Sequence, residues 1–132
     1  MIALDTNVLV RFLVDSQDEP TQSVRARSLV QGAVERGESV LVPLVTLVET
    51  VWVLRKVGGF ARADIGRTLR GLLASPTFEL ARRDEVELAL GAYEGGKGDF
   101  ADHVIAAEAA ANGAVVHTFD RALHGMPGFA EP

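Results

Sequence analysis

The chain predicts an α/β domain of three layers, a central, mainly parallel sheet of roughly four to five strands with helices on both faces. Short, apolar, β-branched runs alternate with stretches of helical periodicity along the whole sequence, which implies right-handed βαβ units. Ile2-Ala3-Leu4 meets an acid, Asp5, almost as soon as it begins. Acids recur later where a strand hands over to a helix or in a helix's first turns, at Glu49, Asp102 and Asp120. In open α/β sheets that junction edge is where ligands bind.

In order, Ile2–Leu4 reads as a strand and Val8–Val14 as a short helix. Glu19–Arg36 is a longer helix with Pro20 in its first turn, where proline is tolerated, and with Val24, Ala26, Leu29, Val30, Ala33 and Val34 as its inner side. Gly37 ends it. Ser39–Val42 reads as a buried strand, and Leu44–Lys56 as a strongly apolar helix stopped by Gly58-Gly59. Arg62–Ala74 is a helix ended by Ser75-Pro76. Phe78–Ala81 is a short strand. Asp84–Glu94 is a helix in which Asp84 and Glu87 have capping-box spacing. Gly95–Gly98 is a loop, and Asp99–Asn112 an alanine-rich helix closed by Gly113 as its C′ residue. Ala114–Thr118 is a strand, followed by a turn-rich tail with a short edge strand near Phe129. There are no repeats, and the 132 residues suit one domain, 1–132, with its own core.

Composition narrows the chemistry. Hydrophobic residues make up 48% of the chain, which argues against disorder. With no cysteine, disulfides and thiolate metal sites are excluded. His103, His117 and His124 lack metal-ligand spacing and suit packing or surface roles, so any metal is expected on oxygen ligands, which favours magnesium or manganese. No secretory leader is visible and no apolar stretch reaches the roughly 20 residues of a membrane span, so a cytoplasmic location is expected. The net charge of −5 argues against simple electrostatic binding of nucleic acid. It leaves open a nuclease whose acids bind cations that in turn meet phosphates.

Each junction acid has a plain structural explanation. Asp5 has the position of an N-cap. Thr46 and Glu49 have capping-box spacing, and on that reading Thr46→Ala costs only about 1 kcal/mol. Asp99 and Asp102 have cap spacing too, and Asp120 fits a turn. Glu49, however, lies in a helix apolar nearly all round, where an unpaired carboxylate is costly to bury. If the acids share one edge they repel one another, and a divalent cation would relieve that repulsion.

Leu4-Asp5-Thr6-Asn7-Val8-Leu9, Val48-Glu49-Thr50-Val51-Trp52-Val53-Leu54, Asp99-Phe100-Ala101-Asp102-His103-Val104-Ile105-Ala106-Ala107 and Thr118-Phe119-Asp120 resemble, in order, the successive motifs of PIN-domain ribonucleases. The resemblance is strongest to the toxin component of VapBC-type toxin–antitoxin pairs. It implies a PIN-like fold and a metal-dependent endoribonuclease. Asp5 and Asp102 would be the main Mg²⁺ ligands, with Mn²⁺ as a substitute, and Glu49 and Asp120 would complete the acidic cluster. Thr6, Asn7 and Thr118 would orient it by hydrogen bonds, and Asp99 would support it from one helical turn away. It further implies an RNA substrate, a homodimer and a cognate antitoxin protein. The arginines of the helices, Arg25, Arg27 and Arg36, then Arg62, Arg67 and Arg70, with Arg55 and Lys56, are ordinary solvated surface or phosphate contacts.

Other readings predict different behaviour. A solitary RNA-processing PIN nuclease would have the same site. Gly98-Asp99-Phe100-Ala101-Asp102 after Lys97 resembles the late motif of haloacid-dehalogenase-type phosphatases, but Asn7 stands where those enzymes carry a second acid, and their lysine lies well before the Gly-Asp motif, not beside it. A non-catalytic RNA-binding module would bind without cutting.

Overall fold

The computed structural model describes every residue from Met1 to Pro132. β1 (Ile2–Ala3), β2 (Val40–Val42) and β3 (Phe78–Leu80) form a parallel ladder in that order. Ile2 lies opposite Val40, and Val42 opposite Leu80. β4 (Val116–His117) and β5 (Phe129–Ala130) form a second parallel ladder. The α/β class and the parallel pairing agree with the sequence. The five strands are divided into ladders of three and two, because β4 takes its hydrogen bonds from the tail. Val116 N–H donates to Gly128 O at 2.9 Å and Thr118 N–H to Ala130 O at 3.0 Å.

The six α-helices are α1 (Thr6–Leu13), α2 (Pro20–Glu35), α3 (Leu44–Trp52), α4 (Arg62–Ala74), α5 (Arg83–Glu94) and α6 (Phe100–Ala111). They bury Leu9, Ala33, Leu47, Leu69, Leu90 and Phe100 in one cluster with Leu4, Val40 and Val42 of the strand region. None is long and apolar enough to cross a membrane. Gly113, at φ +72°, lets Ala114 N–H return to Ala109 O at 2.8 Å, so α6 ends as its glycine predicts.

Three local readings are corrected. The inner side of α2 is Ser23, Ala26, Val30 and Ala33, and Val24, Leu29 and Val34 are exposed. The pivot is Ser23, whose hydroxyl accepts from Ser16 N–H at 3.0 Å and donates to Val14 O at 3.4 Å. Tying that turn down turns the helix so that a serine, not Val24, faces inward. The Asp84–Glu87 capping box does not form, since α5 starts from Arg82 in the left-handed region at φ 57°. Glu87 pairs instead with Arg83 at 3.3 Å. Finally, the helix expected to run to Lys56 leaves α geometry after Trp52 and continues as a π-helical turn over Val53–Val57, closed by Gly58 N–H on Val53 O at 2.9 Å.

Candidate functional site

Asp5 stands just past β1, between buried Leu4 and buried Leu9. It is the N-cap of α1, and its Oδ1 accepts from Val8 N–H at 3.2 Å. That bond uses one lone pair of an exposed carboxylate and leaves the rest facing solvent. The strand end is held from across the chain. Thr46 Oγ1–H donates to Leu4 O at 3.0 Å, and Thr46 is only 5% exposed. Thr46 is therefore not a cap, and the N-cap position of α3 belongs to Pro43. Removing the hydroxyl leaves a buried carbonyl unpaired, which costs roughly 1–3 kcal/mol. Thr46→Val, which keeps the shape, is expected to lower stability by that amount in chemical denaturation.

Glu49 lies one turn on and is exposed. Val45 and Trp52, at helical spacing on either side of it, are 68% and 58% exposed. The apolar helix therefore does not bury its acid, because Val45, Glu49 and Trp52 form its outward stripe. Asp5, Thr6, Asn7 and Glu49 line one cleft of about 380 Å³. Arg11 lines it too, one turn beyond Asn7, with Nε donating to Gln22 Oε1 at 3.2 Å. The sequence reading overlooked Arg11; its signal was the i, i+4 spacing from Asn7 along α1.

The other acids are placed differently. Asp102, in the first turn of α6, reaches back so that its Oδ2 accepts Asp99 N–H at 3.0 Å. Asp99 shares a second cleft with Glu49. Asp120 Oδ1 accepts Ala122 N–H at 2.9 Å, and Thr118 Oγ1 accepts Asp120 N–H at 3.0 Å. His124 Nε2–H donates to Thr118 O at 2.8 Å, and buried His103 donates from Nε2 to Lys97 O at 2.6 Å. Both histidines hold backbone, as packing roles require.

No three carboxylate or imidazole side chains come close enough to hold a cation. The structure joins Asp5 to Glu49 and Glu49 to Asp99 through shared clefts, while Asp102 and Asp120 serve as caps. The Asp5–Glu49 cleft offers two carboxylates, the number that suits a hydrated magnesium ion completing its shell with waters and substrate phosphate.

Most of the arginines are occupied. Arg27 pairs with Asp15 at 2.5 Å, Arg36 with Glu38 at 3.0 Å, Arg70 with Glu94 at 2.6 Å, and Arg67 with Asp64. Arg62 is structural, since Nη1 donates to Gly98 O at 2.7 Å and to Tyr93 O at 3.1 Å, with the guanidinium 4.3 Å above the Tyr93 ring. Burial pushes the Tyr93 phenol above its ordinary pKa, and the Arg62 charge opposes the rise. Arg25 and Lys56 have neither salt bridge nor side-chain hydrogen bond and flank the two acids' clefts.

The family model of the PIN domain matches residues 2–128, and the chain belongs to that family. Members of the family are generally nucleases. Among solved structures the chain is similar to a toxin–antitoxin complex from Klebsiella pneumoniae, with 22% identity, 100% of this chain and 98% of that chain covered, and a TM-score of 0.36. No curated protein matches it.

Proposed function

We propose that the chain is an endoribonuclease, working as one domain over residues 1–132 in the cytoplasm. The observation that carries this reading is the cleft shared by Asp5 and Glu49, within a sequence that matches the PIN family nearly end to end. Two carboxylates at one cleft orient a water and accept its proton as it attacks the phosphodiester in line. Arg11, at the same cleft, offers positive charge where the phosphorane develops negative charge. Arg11→Gln is expected to slow cleavage by about 10²–10³-fold at saturating RNA, the scale of losing one preorganised charge donor, with little change in melting temperature.

A Mg²⁺ requirement, with Mn²⁺ as substitute, is proposed on the four ordered motifs, with Asp5 and Asp102 as the main ligands and Glu49 and Asp120 in support. Thr6, Asn7, Asp99 and Thr118 are the proposed positioning residues. When bound, the ion would supply Lewis acidity toward the phosphate. The motif order also supports the role of a type II toxin, a homodimer silenced by a cognate antitoxin protein. A solitary RNA-processing nuclease shares every feature of the site.

The test is cleavage of a labelled, hairpin-containing RNA with Mg²⁺, with Mn²⁺ and with EDTA. Metal-dependent cutting supports the reading. The alternative is an RNA-holding module without catalysis. RNA binding without cutting under any metal would decide for it.

A further inference from the structure

Beside the Asp5–Glu49 cleft lies a second one, of about 220 Å³, and Glu49 lines both. Its other walls include Trp52, Arg55, Lys56, Tyr93 and Phe100. Several features distinguish it from ordinary surface. Trp52 is the chain's only tryptophan, yet its indole is 58% exposed beside an acid of the proposed site. Tyr93 is 2% exposed, and its hydroxyl has no hydrogen-bond partner. A buried hydroxyl without a partner is penalised on folding unless a ligand satisfies it. Lys56 forms no ion pair, and Arg55 uses only Nη1, on Phe60 O at 3.2 Å.

An indole face, a hydroxyl that both donates and accepts, and cations at the rim form the set that recognises an unpaired nucleotide. The base stacks on the aromatic face, its edge meets the hydroxyl, and the neighbouring phosphate meets the cations. The volume is below the roughly 300–1,000 Å³ of sites for drug-sized ligands, which suits one base better than a base pair. On the far side of the acids, Asn7 and Arg11 continue into a groove of about 600 Å³ that also presents Arg25. The acids thus sit midway along a path with cations at both ends.

Resting on the nuclease reading, we propose that the Trp52–Tyr93–Lys56 cleft is a base subsite next to the scissile phosphate. Trp52 stacks one unpaired base of single-stranded RNA there, Tyr93 bonds its edge, and Lys56 holds the adjoining phosphate. Trp52 is a substrate-binding residue that selects an unpaired base over a paired one, and it takes no part in the proton transfers.

Because the chain has one tryptophan, its emission reports the cleft directly. Full-length Asp5→Asn protein with Mg²⁺ would be titrated with an unstructured RNA and with a duplex RNA. Emission and the anisotropy of a labelled strand would be read together, and cleavage kinetics would be run on active protein carrying Trp52→Ala, Trp52→Phe or Tyr93→Phe. Quenching by the single strand alone, at the concentration where anisotropy rises, is expected. Trp52→Ala is expected to raise KM roughly 5- to 150-fold, the range for losing one stacked base, at near-unchanged kcat. Trp52→Phe should restore most of that loss. Tyr93→Phe should weaken binding without lowering the melting temperature.

Binding with unchanged emission, together with wild-type KM in Trp52→Ala, would overturn the subsite and leave the nuclease standing. No binding and no cleavage of any RNA by the wild type would defeat the nuclease reading, and the subsite with it. An emission change driven by protein concentration alone, with a dimer that Trp52→Ala dissociates, would assign the cleft to a second copy of the chain and overturn the proposal.

Discussion

Asp5→Asn is expected to abolish RNA cleavage while the protein stays folded. The two roles of Asp5 separate in this variant. As N-cap it needs only an oxygen to accept Val8 N–H, now at 3.2 Å, and asparagine caps as well as aspartate. As a site acid it needs the charge, which the amide lacks. The melting temperature should therefore hold while activity falls to background. Asp5→Ala should lose both, with roughly 0.5–2 kcal/mol of stability gone. Asp102→Asn is expected to behave in the same way, because its remaining oxygen still accepts Asp99 N–H. Full activity in a folded Asp5→Asn protein would sink the site assignment.

Arg62→Ala should be the most damaging change outside the site. Its guanidinium binds two carbonyls that belong to different elements, Tyr93 O on α5 and Gly98 O in the loop before α6. Hydrogen bonds to charged groups contribute roughly 1.5–3 kcal/mol each. The loop has little room to compensate. Gly98, at φ +75°, has Leu123 Cδ2 and His103 Nε2 within 2.8 and 3.0 Å of where a β-carbon would stand. Loss of about 2–4 kcal/mol is expected in urea denaturation, with faster amide exchange at the start of α6. Arg62→Lys should recover only part, since an ammonium lacks the flat face that lies over Tyr93. Unchanged stability in Arg62→Ala would show the clamp to be incidental.

Local signals made much of this fold legible. Pro20, Gly37, Gly113 and Ser75-Pro76 act within a few residues of themselves, so the order and approximate limits of the helices followed, and α4 runs from Arg62 to Ala74 as read. What escaped depends on distant parts of the chain. Thr46 has cap spacing, but its hydroxyl meets Leu4, 42 residues earlier. Val24 and Leu29 have the polarity of core residues, but the bonds of Ser23 set which side of α2 turns inward. Asp5 and Glu49 are candidates in the sequence and share a cleft; Arg11 is marked there only by its i, i+4 spacing from Asn7, and the cleft that makes this spacing matter is built by α1 and α3 jointly. Asp102 and Asp120 had both a chemical and a capping explanation, and each accepts a backbone amide.

The π-helical turn after Trp52 gives chain length a role of its own. Such a turn amounts to one extra residue inserted into a helix. Removing one residue between Val53 and Val57 would let α geometry continue, and would swing everything after it by about 100° about the helix axis. Trp52 would remain beside Glu49, but the two cations after it would point elsewhere. The distance between Glu49 and Lys56 is thus set by a count of peptide units, and a deletion that leaves every side chain of the two clefts intact would still move one end of the second cleft away from the other.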